Sequence, residues 1–251
     1  MKNIYDYIAQ LGFEIYKIIK ESSKTFSNKI LPEIANLCKE LPDISEERKQ
    51  ELEKFCDTFL SHGWVIFNYL PITVYNKELK DKKDTDLYVK KYLTKNNIEN
   101  IYDSILKGGI SEYNINEIKK GFTIKSYKST ALIIITLIEN YIVTKYKITE
   151  KNRLQKKDID LIKELNKDKR NNKVSIFFYL HNFSLYLAIK YLFESHDFKT
   201  ISDNNFYIPN RHFLMHGFSK RNYTKKDCLC LLLILYGLIE QKDMLIKDKT
   251  N

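Results

Sequence analysis

The sequence contains few of the residues that make tight turns, with 7 glycines and 4 prolines among 251 residues. All-β folds depend on many tight turns and need more of both residue types. The chain is nevertheless 43% hydrophobic, which is enough to bury a sizeable core. We therefore predict an all-α fold built as a multi-helix bundle.

The chain also lacks a long uninterrupted apolar run. The two most apolar stretches are Ala131–Val143, which Glu139 interrupts, and Leu229–Ile239. A helix that spans a membrane needs about 20 consecutive apolar residues, so both stretches are too short. Residues 1–16 mix charged with apolar side chains and do not resemble the apolar centre of a signal peptide. These features predict a cytoplasmic protein with no membrane partner.

Cysteine is scarce, and its spacing is not that of a metal site. The four cysteines, Cys38, Cys56, Cys228 and Cys230, lie in apolar contexts and form no Cys-x-x-Cys pair. Structural zinc sites use such closely spaced pairs, and a leucine-rich run suits neither zinc nor a disulfide. We therefore expect reduced, buried thiols, and no metal or other cofactor.

Positive charge is in excess, since 42 Lys and Arg residues face 32 Asp and Glu residues and give a net charge of +10. A cationic surface attracts polyanions, which favours RNA, DNA or an anionic membrane over an acidic small molecule. Residues 148–173 are polar and rich in Lys and Arg. This segment is either a solvated excursion or an arm that faces nucleic acid.

Apolar residues recur at helical spacing along most of the chain. The pattern predicts helices over residues 4–19, from an N-cap at Ser45 to near Gly63, over 126–147, over 174–194, and from the Leu229 region to about residue 242. Breaks are predicted at Gly108-Gly109 and at Gly121, and Pro209 is expected to open a short helix that ends at Gly217. The stretch His62–Pro71 is poor in charge and is predicted to be a buried connector.

Arg211, His212 and His216 share one short segment. On a helix, positions 212 and 216 lie one turn apart on the same face, and Arg211 flanks them. A permanent cation beside imidazoles that exchange protons near neutral pH can cleave RNA. A base removes the proton of the 2′-hydroxyl, the cation stabilises charge on phosphorus, and an acid protonates the leaving oxygen. The remaining histidines, His62, His181 and His196, are isolated in the sequence and are expected to be structural.

Two alternatives stay open for this segment. His-x3-His can bind zinc, but no third ligand stands at a useful spacing. The arginine and the two histidines could also be ordinary surface residues, with one imidazole interacting with the carbonyl groups at a helix end. Spacing alone does not separate this second alternative from a catalytic site.

The segment Asn210-Arg-His-Phe-Leu-Met-His-Gly217 resembles the signature of the higher-eukaryote-and-prokaryote nucleotide-binding (HEPN) superfamily, an Arg followed by a polar residue and then, four to six residues after the Arg, a His. It is similar to a version of this motif in uncharacterised bacterial proteins. In those proteins the motif is followed by a loop that contains a Tyr and then by a leucine-rich helix. The corresponding residues here are Tyr223 and residues 229–238. The upstream residues 137–140 also resemble the helix that precedes the motif there. The resemblance covers the chain from about residue 121.

This resemblance implies a HEPN-like helical bundle over residues 121–245, preceded by a helical region over 1–120 of unknown role. It also implies a homodimer in which two copies of the motif face one another across a cleft. Active members are metal-independent endoribonucleases that leave a 2′,3′-cyclic phosphate and a 5′-hydroxyl. Many act as toxins or as effectors of antiphage defence and abortive infection.

The resemblance also assigns roles within the motif. Arg211 would be the cation that stabilises the phosphate, and His216 the acid and base. His212, at the variable polar position, would orient or assist, and Asn210 and Tyr223 would support the site. Two alternatives remain: a non-catalytic HEPN-like module that binds RNA, a nucleotide or a protein, and a toxin that an antitoxin or regulatory protein holds silent.

Glu139 is a further candidate that comes from burial rather than from resemblance. A carboxylate inside an apolar helix is costly to bury without a partner. Glu139 could hold Arg211 or His216 in place and keep the imidazole protonated, or its face of the helix could reach water.

Overall fold

The structure is a computed structural model that describes residues 45–145, 176–197 and 201–240 of the chain. Within these ranges it contains eight α-helices, two 3-10 helices and no strand, so the all-α prediction is confirmed. The α-helices are α1 (Glu46–Ser61), α2 (Lys82–Lys90), α3 (Lys95–Lys107), α4 (Glu112–Thr123), α5 (Tyr127–Lys145), α6 (Ile176–Phe193), α7 (Arg211–Met215) and α8 (Lys225–Glu240). The 3-10 helices span Ile72–Asn76 and Asp203–Asn205. The predicted helix over 4–19, the basic segment 148–173 and Cys38 lie outside the described residues.

α8 forms the centre of the bundle. Most of its residues from Asp227 to Ile239 are buried, as expected for a helix that is apolar on every side. It packs against α5, α3 and α6, while α1 packs against α6 and α4 against α5. None of the described helices is both long and apolar enough to cross a membrane.

Residues on both sides of position 120 contribute to the same hydrophobic core. The division predicted between residues 120 and 121 falls inside α4. One cluster of buried side chains runs from Leu52 on α1 to Ile239 on α8. At Gly108 a Cβ atom would stand 2.4 Å from Ile239 Cγ2, so the end of α3 lies directly against α8. The helices before residue 120 therefore pack on the helix that follows the motif.

Gly121 does not end a helix, and the predicted break there is wrong. α4 continues to Thr123, and Gly121 is buried. A Cβ atom at Gly121 would lie 2.0 Å from Thr130 Oγ1 of α5. The glycine is thus explained by the close approach of two helices, which a local pattern does not show.

The stretch after α1 is a buried connector, as predicted. Trp64 and Phe67 are almost fully buried within it. Lys226 of α8 donates to the His62 carbonyl at 2.7 Å and pairs with Asp86 at 2.6 Å. Asp86 also accepts from Trp64 Nε1 at 2.7 Å. One lysine therefore ties the connector and α2 to the start of α8.

Candidate functional site

The Arg211–Met215 segment forms the short helix α7, which packs against α6 and α5. Helix formation over this segment is as predicted, but its first residue is not Pro209. Asn210 is the N-cap, with extended backbone angles, and Pro209 precedes it. An asparagine side chain at an N-cap can accept from the unpaired N–H groups of the first turn, which proline cannot do.

Asn210 joins α7 to the end of α6. Its carbonyl oxygen accepts from the N–H groups of His212 at 2.9 Å and Phe213 at 3.3 Å. Its amide nitrogen donates to the carbonyl oxygens of Tyr191 at 3.0 Å and Glu194 at 2.9 Å. The residue is 1% exposed. Asn210 therefore positions the motif and does not present its side chain to a substrate.

The other end of α7 is closed by a Schellman motif. Gly217 has a φ of +75°, the left-handed conformation that glycine adopts without strain. The N–H of Phe218 donates to the Phe213 carbonyl at 3.0 Å, and the N–H of Gly217 donates to the Leu214 carbonyl at 3.2 Å. His216 is the C-cap residue between these bonds. Both ends of this five-residue helix are thus held by specific hydrogen bonds.

The two faces of α7 differ in burial. Phe213 and Leu214 are buried against the bundle, at 2% and 6% exposure. Arg211 and His212 are half-buried, and His216 is exposed. The apolar residues at the centre of the helix anchor it, so the cation and the imidazoles lie on the side that a ligand can reach.

Glu139 of α5 binds Arg211 through two hydrogen bonds. Arg211 Nε donates to Oε2 at 3.2 Å and Nη2 donates to Oε1 at 3.0 Å, an arrangement in which the flat guanidinium matches the carboxylate. The Arg211 and Glu139 side chains are 23% and 15% exposed. Of the alternatives for Glu139, the structure shows contact with Arg211. Among the described residues Arg211 makes no further hydrogen bond.

The two imidazoles of the motif lie side by side. The ring centres of His212 and His216 are 4.8 Å apart, and the ring planes meet at 71°. Burial lowers the pKa of His212, and the neighbouring His216, Arg211 and His196 lower it further. The neutral form of His212 is therefore favoured near neutral pH.

His196 lies in this neighbourhood, although it stands apart from the motif in the sequence. It follows α6, and its ring centre lies 4.6 Å from that of Phe206 and 6.2 Å from that of Phe213 on α7. Its Nε2 is 3.8 Å from a Glu194 carboxylate oxygen. The contact depends on the way the chain folds back after α6, and no spacing in the sequence signals it.

His62 has the structural role predicted for it. Its Nδ1 lies within 2.7 Å of the Thr85 hydroxyl oxygen on α2. Burial is the largest cause of a lowered pKa at His62, and Lys226 and Lys82 add to it. This histidine braces the connector against α2.

Tyr223 lies in a different hydrogen-bond network from Arg211 and His216. Its hydroxyl is 3.1 Å from the Ser219 hydroxyl, which hydrogen-bonds the buried Asp203 carboxylate. Asp203 also accepts from the backbone N–H of Lys220 at 3.0 Å. Burial raises the pKa of Tyr223 to about 12. Within the part of the chain that the structure describes, Tyr223 stabilises the loop after α7 and makes no hydrogen bond to the motif.

The described cysteines are free and buried. Burial raises the pKa values of Cys228 and Cys230 to about 12, so both thiols are protonated and unreactive at neutral pH. Across residues 45–145, 176–197 and 201–240, no three His, Cys, Asp or Glu side chains are grouped so that they could hold a metal ion.

No family model, no curated protein and no solved structure matches this chain. Function is therefore inferred from the geometry and chemistry of the site itself.

Proposed function

We propose that the protein is a metal-independent endoribonuclease of the HEPN type. It cleaves RNA by attack of a 2′-hydroxyl on the adjacent phosphodiester and leaves a 2′,3′-cyclic phosphate and a 5′-hydroxyl. The observation that carries this proposal is the group of Arg211, His212 and His216 on the accessible side of α7, with ring centres 4.8 Å apart. A fixed cation beside two groups that exchange protons is what this reaction requires.

Arg211 is the residue that stabilises the extra negative charge on the five-coordinate phosphorus. Glu139 uses the Nε and Nη2 atoms and so fixes the plane of the guanidinium. The other edge of the guanidinium binds the phosphate. Because Glu139 already holds the cation in place, Arg211 does not have to reorient when negative charge develops in the transition state. His216 and His212 are the two groups that exchange protons during the reaction.

RNA is the polyanion that this chemistry selects. Only RNA carries the 2′-hydroxyl nucleophile, so DNA binds without reacting. The net charge of +10 favours encounter with either polymer. Discrimination is therefore expected in the chemical step and not in binding.

The proposed active form is a homodimer. The apolar side chains of Met215 and Phe218 are 39% and 55% exposed and flank His216 on both sides along the chain. Exposed apolar side chains beside a polar site are typical of an interface. A second copy that covers them would bring two motifs together across one cleft.

The dimer is tested by light scattering of the purified protein and of Met215→Glu and Phe218→Glu. Both variants should be monomeric and should cleave RNA poorly. The matched control is Tyr113→Glu on α4, at a side chain that is 74% exposed, and it should remain dimeric. A wild-type protein that is monomeric and fully active would contradict the homodimer.

The proposed setting is a bacterial cytoplasm, where the enzyme acts as a toxin or as an antiphage effector of abortive infection. An antitoxin or regulatory protein would then restrain it. The support is the similarity of the Arg211–His216 segment to motifs of such proteins. Induced expression of the wild-type chain should arrest growth, whereas Arg211→Ala should not.

The activity is tested with labelled RNA in the presence of a chelator. The wild-type protein should cut the RNA, and Arg211→Ala and His216→Ala should each lose about 100-fold or more in rate. Arg48→Ala is the matched control, because Arg48 on α1 also pairs with a carboxylate, that of Glu51 at 2.9 Å. This control should retain full activity.

Two outcomes would overturn the activity. A requirement for added metal would contradict the chemistry. Binding of RNA that survives in His216→Ala, together with no cleavage by the wild-type protein, would select the non-catalytic binding module instead.

A further inference from the structure

His212 and His216 come from a single short element of one chain. Their ring centres are 4.8 Å apart. The Asn210 cap fixes one end of α7 and the left-handed Gly217 fixes the other. The spacing of the two imidazoles within one copy is therefore determined by this helix.

A reaction at phosphorus needs two proton-transfer groups in opposite protonation states. We infer that His212 is the general base and His216 the general acid, and that both act on one phosphodiester within the same chain. This inference rests on the proposed ribonuclease function. It assigns His212 a catalytic role of its own, beyond assisting His216.

The reaction is a transesterification in which two protons are transferred. An imidazole nitrogen of His212 takes the proton of the 2′-hydroxyl while that oxygen bonds to phosphorus. The bond from phosphorus to the 5′-oxygen breaks, and the imidazolium of His216 protonates that oxygen. The products are a cyclic phosphate and a 5′-hydroxyl, and proton exchange with water restores both rings.

The surroundings of the two rings support this division. His212 is half-buried and His216 is exposed, so His216 can regain its proton from water. The charged and titratable groups near His212 are Arg211 and His216 on the same element and His196 after α6. Both carboxylate oxygens of Glu139 on α5 bind Arg211. Burial lowers the pKa of His212, and Arg211 and the other two histidines lower it further, so its neutral form is available to act as a base at neutral pH.

An RNA substrate with a sulfur leaving group distinguishes the general acid from the general base. The probe is an RNA in which sulfur replaces the bridging 5′-oxygen at the linkage that the wild-type protein cuts. A thiolate leaves without protonation, so His216→Ala should lose about 100-fold on the oxygen substrate and recover to near the wild-type rate on the sulfur substrate. His212→Ala and the isosteric His212→Gln should stay impaired on both.

The pH profile on the sulfur substrate gives a second readout. With His216→Ala, the rate should still rise with pH through a single ionisation below 6.5, the ordinary histidine value, because only the base must lose a proton. In His212→Gln this rise should disappear. Circular dichroism melting of each variant shows whether the fold is retained.

Mixed dimers test whether both groups act within one chain. Co-expressed His212→Ala and His216→Ala chains with different tags should form inactive mixed dimers, since neither motif is complete. Restored cleavage in the mixed dimer would show that the base and acid come from different chains, and would overturn the within-chain assignment.

Other results would overturn the assignment while the proposed function stands. They are full activity of both His212 variants, or rescue of the His212 variants by sulfur, with cleavage by the wild-type protein intact. A wild-type protein that cuts neither substrate would overturn the proposed function and this inference with it.

Discussion

Arg211, the first residue of α7, and Arg221, in the loop after α7, each bind a carboxylate, but their surroundings differ. Arg221 pairs with Asp227 at 2.5 Å and also donates to the Phe206 carbonyl. Asp227 in turn accepts from the backbone N–H and the hydroxyl of Thr224, both at 2.8 Å, and so caps α8. Each partner of this pair makes a further hydrogen bond within the fold, and the pair closes the loop onto α8.

The pair of Arg211 and Glu139 leaves one edge of its guanidinium outside the pair. Arg211 also acts electrostatically on the half-buried His212, whose ring lies against that of the exposed His216. An arginine–carboxylate pair is therefore not a sign of a site by itself. What distinguishes Arg211 from Arg221 is an accessible cation with proton-transfer groups as neighbours.

The largest expected difference between the two pairs is in stability. Asp227→Ala should lower the free energy of unfolding by about 2–3 kcal/mol, because it removes the buried carboxylate that pairs with Arg221 and bonds Thr224 at the start of α8. Glu139→Ala should lower it by about 1 kcal/mol, since Arg211 can reach water. Urea unfolding of both variants measures the difference. Equal losses would show that the two pairs are equivalent structural elements.

Asn210 allows a test of positioning. Asn210→Ala removes the cap of α7 and leaves the carbonyls of Tyr191 and Glu194 without their donor, so stability should fall by about 2 kcal/mol. Cleavage should fall as well at temperatures where the variant stays folded. Ser111→Ala is the control, because Ser111 caps α4 by accepting from Asn114 N–H at 3.3 Å. It should cost about 1 kcal/mol and leave cleavage unchanged.

Glu139→Gln should give the smallest of these effects. The amide keeps the shape of the carboxylate but loses its charge, so Arg211 is held less firmly. We expect about a tenfold fall in cleavage rate with little change in stability. Glu51→Gln, at the pair with Arg48, is the matched control. Full activity of Glu139→Gln would remove its positioning role.

A double-mutant cycle sharpens this last test. If Glu139 acts only through Arg211, the losses in rate from Glu139→Gln and Arg211→Lys should not add in the double variant. Additive losses would mean that Glu139 acts on another group, and the pairing seen in the structure would then not explain its effect.

Local patterns predicted the helices well where a single face or a cap determined them. The predicted helix over 126–147 is observed as Tyr127–Lys145, and the one over 174–194 as Ile176–Phe193. Ser45 is the N-cap of α1, and its side chain accepts from the Arg48 N–H at 3.2 Å. Such features depend on residues three or four positions apart, which the sequence shows directly.

The errors have a common physical cause in contacts between distant segments. Gly121 resembled a helix stop, but a residue of the next helix, Thr130, explains it. Pro209 resembled a helix start, but Asn210 is the cap because its amide also binds the end of α6. Both positions are determined by packing between helices.

The candidate site divides in the same way. The placement of Arg211, His212 and His216 on one short helix follows from their spacing. The cost of burying an unpaired carboxylate indicated Glu139 as a candidate. The sequence left open whether Glu139 binds a motif residue or reaches water, and the structure shows its contact with Arg211. The approach of His196 depends on the fold of the chain after α6, so only the structure reveals it.

The most direct test of the central claim is cleavage of an RNA with a single 2′-deoxy substitution at the mapped linkage, in the presence of a chelator. If Arg211 and the two imidazoles act through the 2′-hydroxyl, the wild-type protein should cut the all-ribose RNA without metal and leave a cyclic phosphate. It should not cut the substituted linkage. Cleavage at the deoxy linkage, or loss of all cleavage on chelation, would contradict the claim.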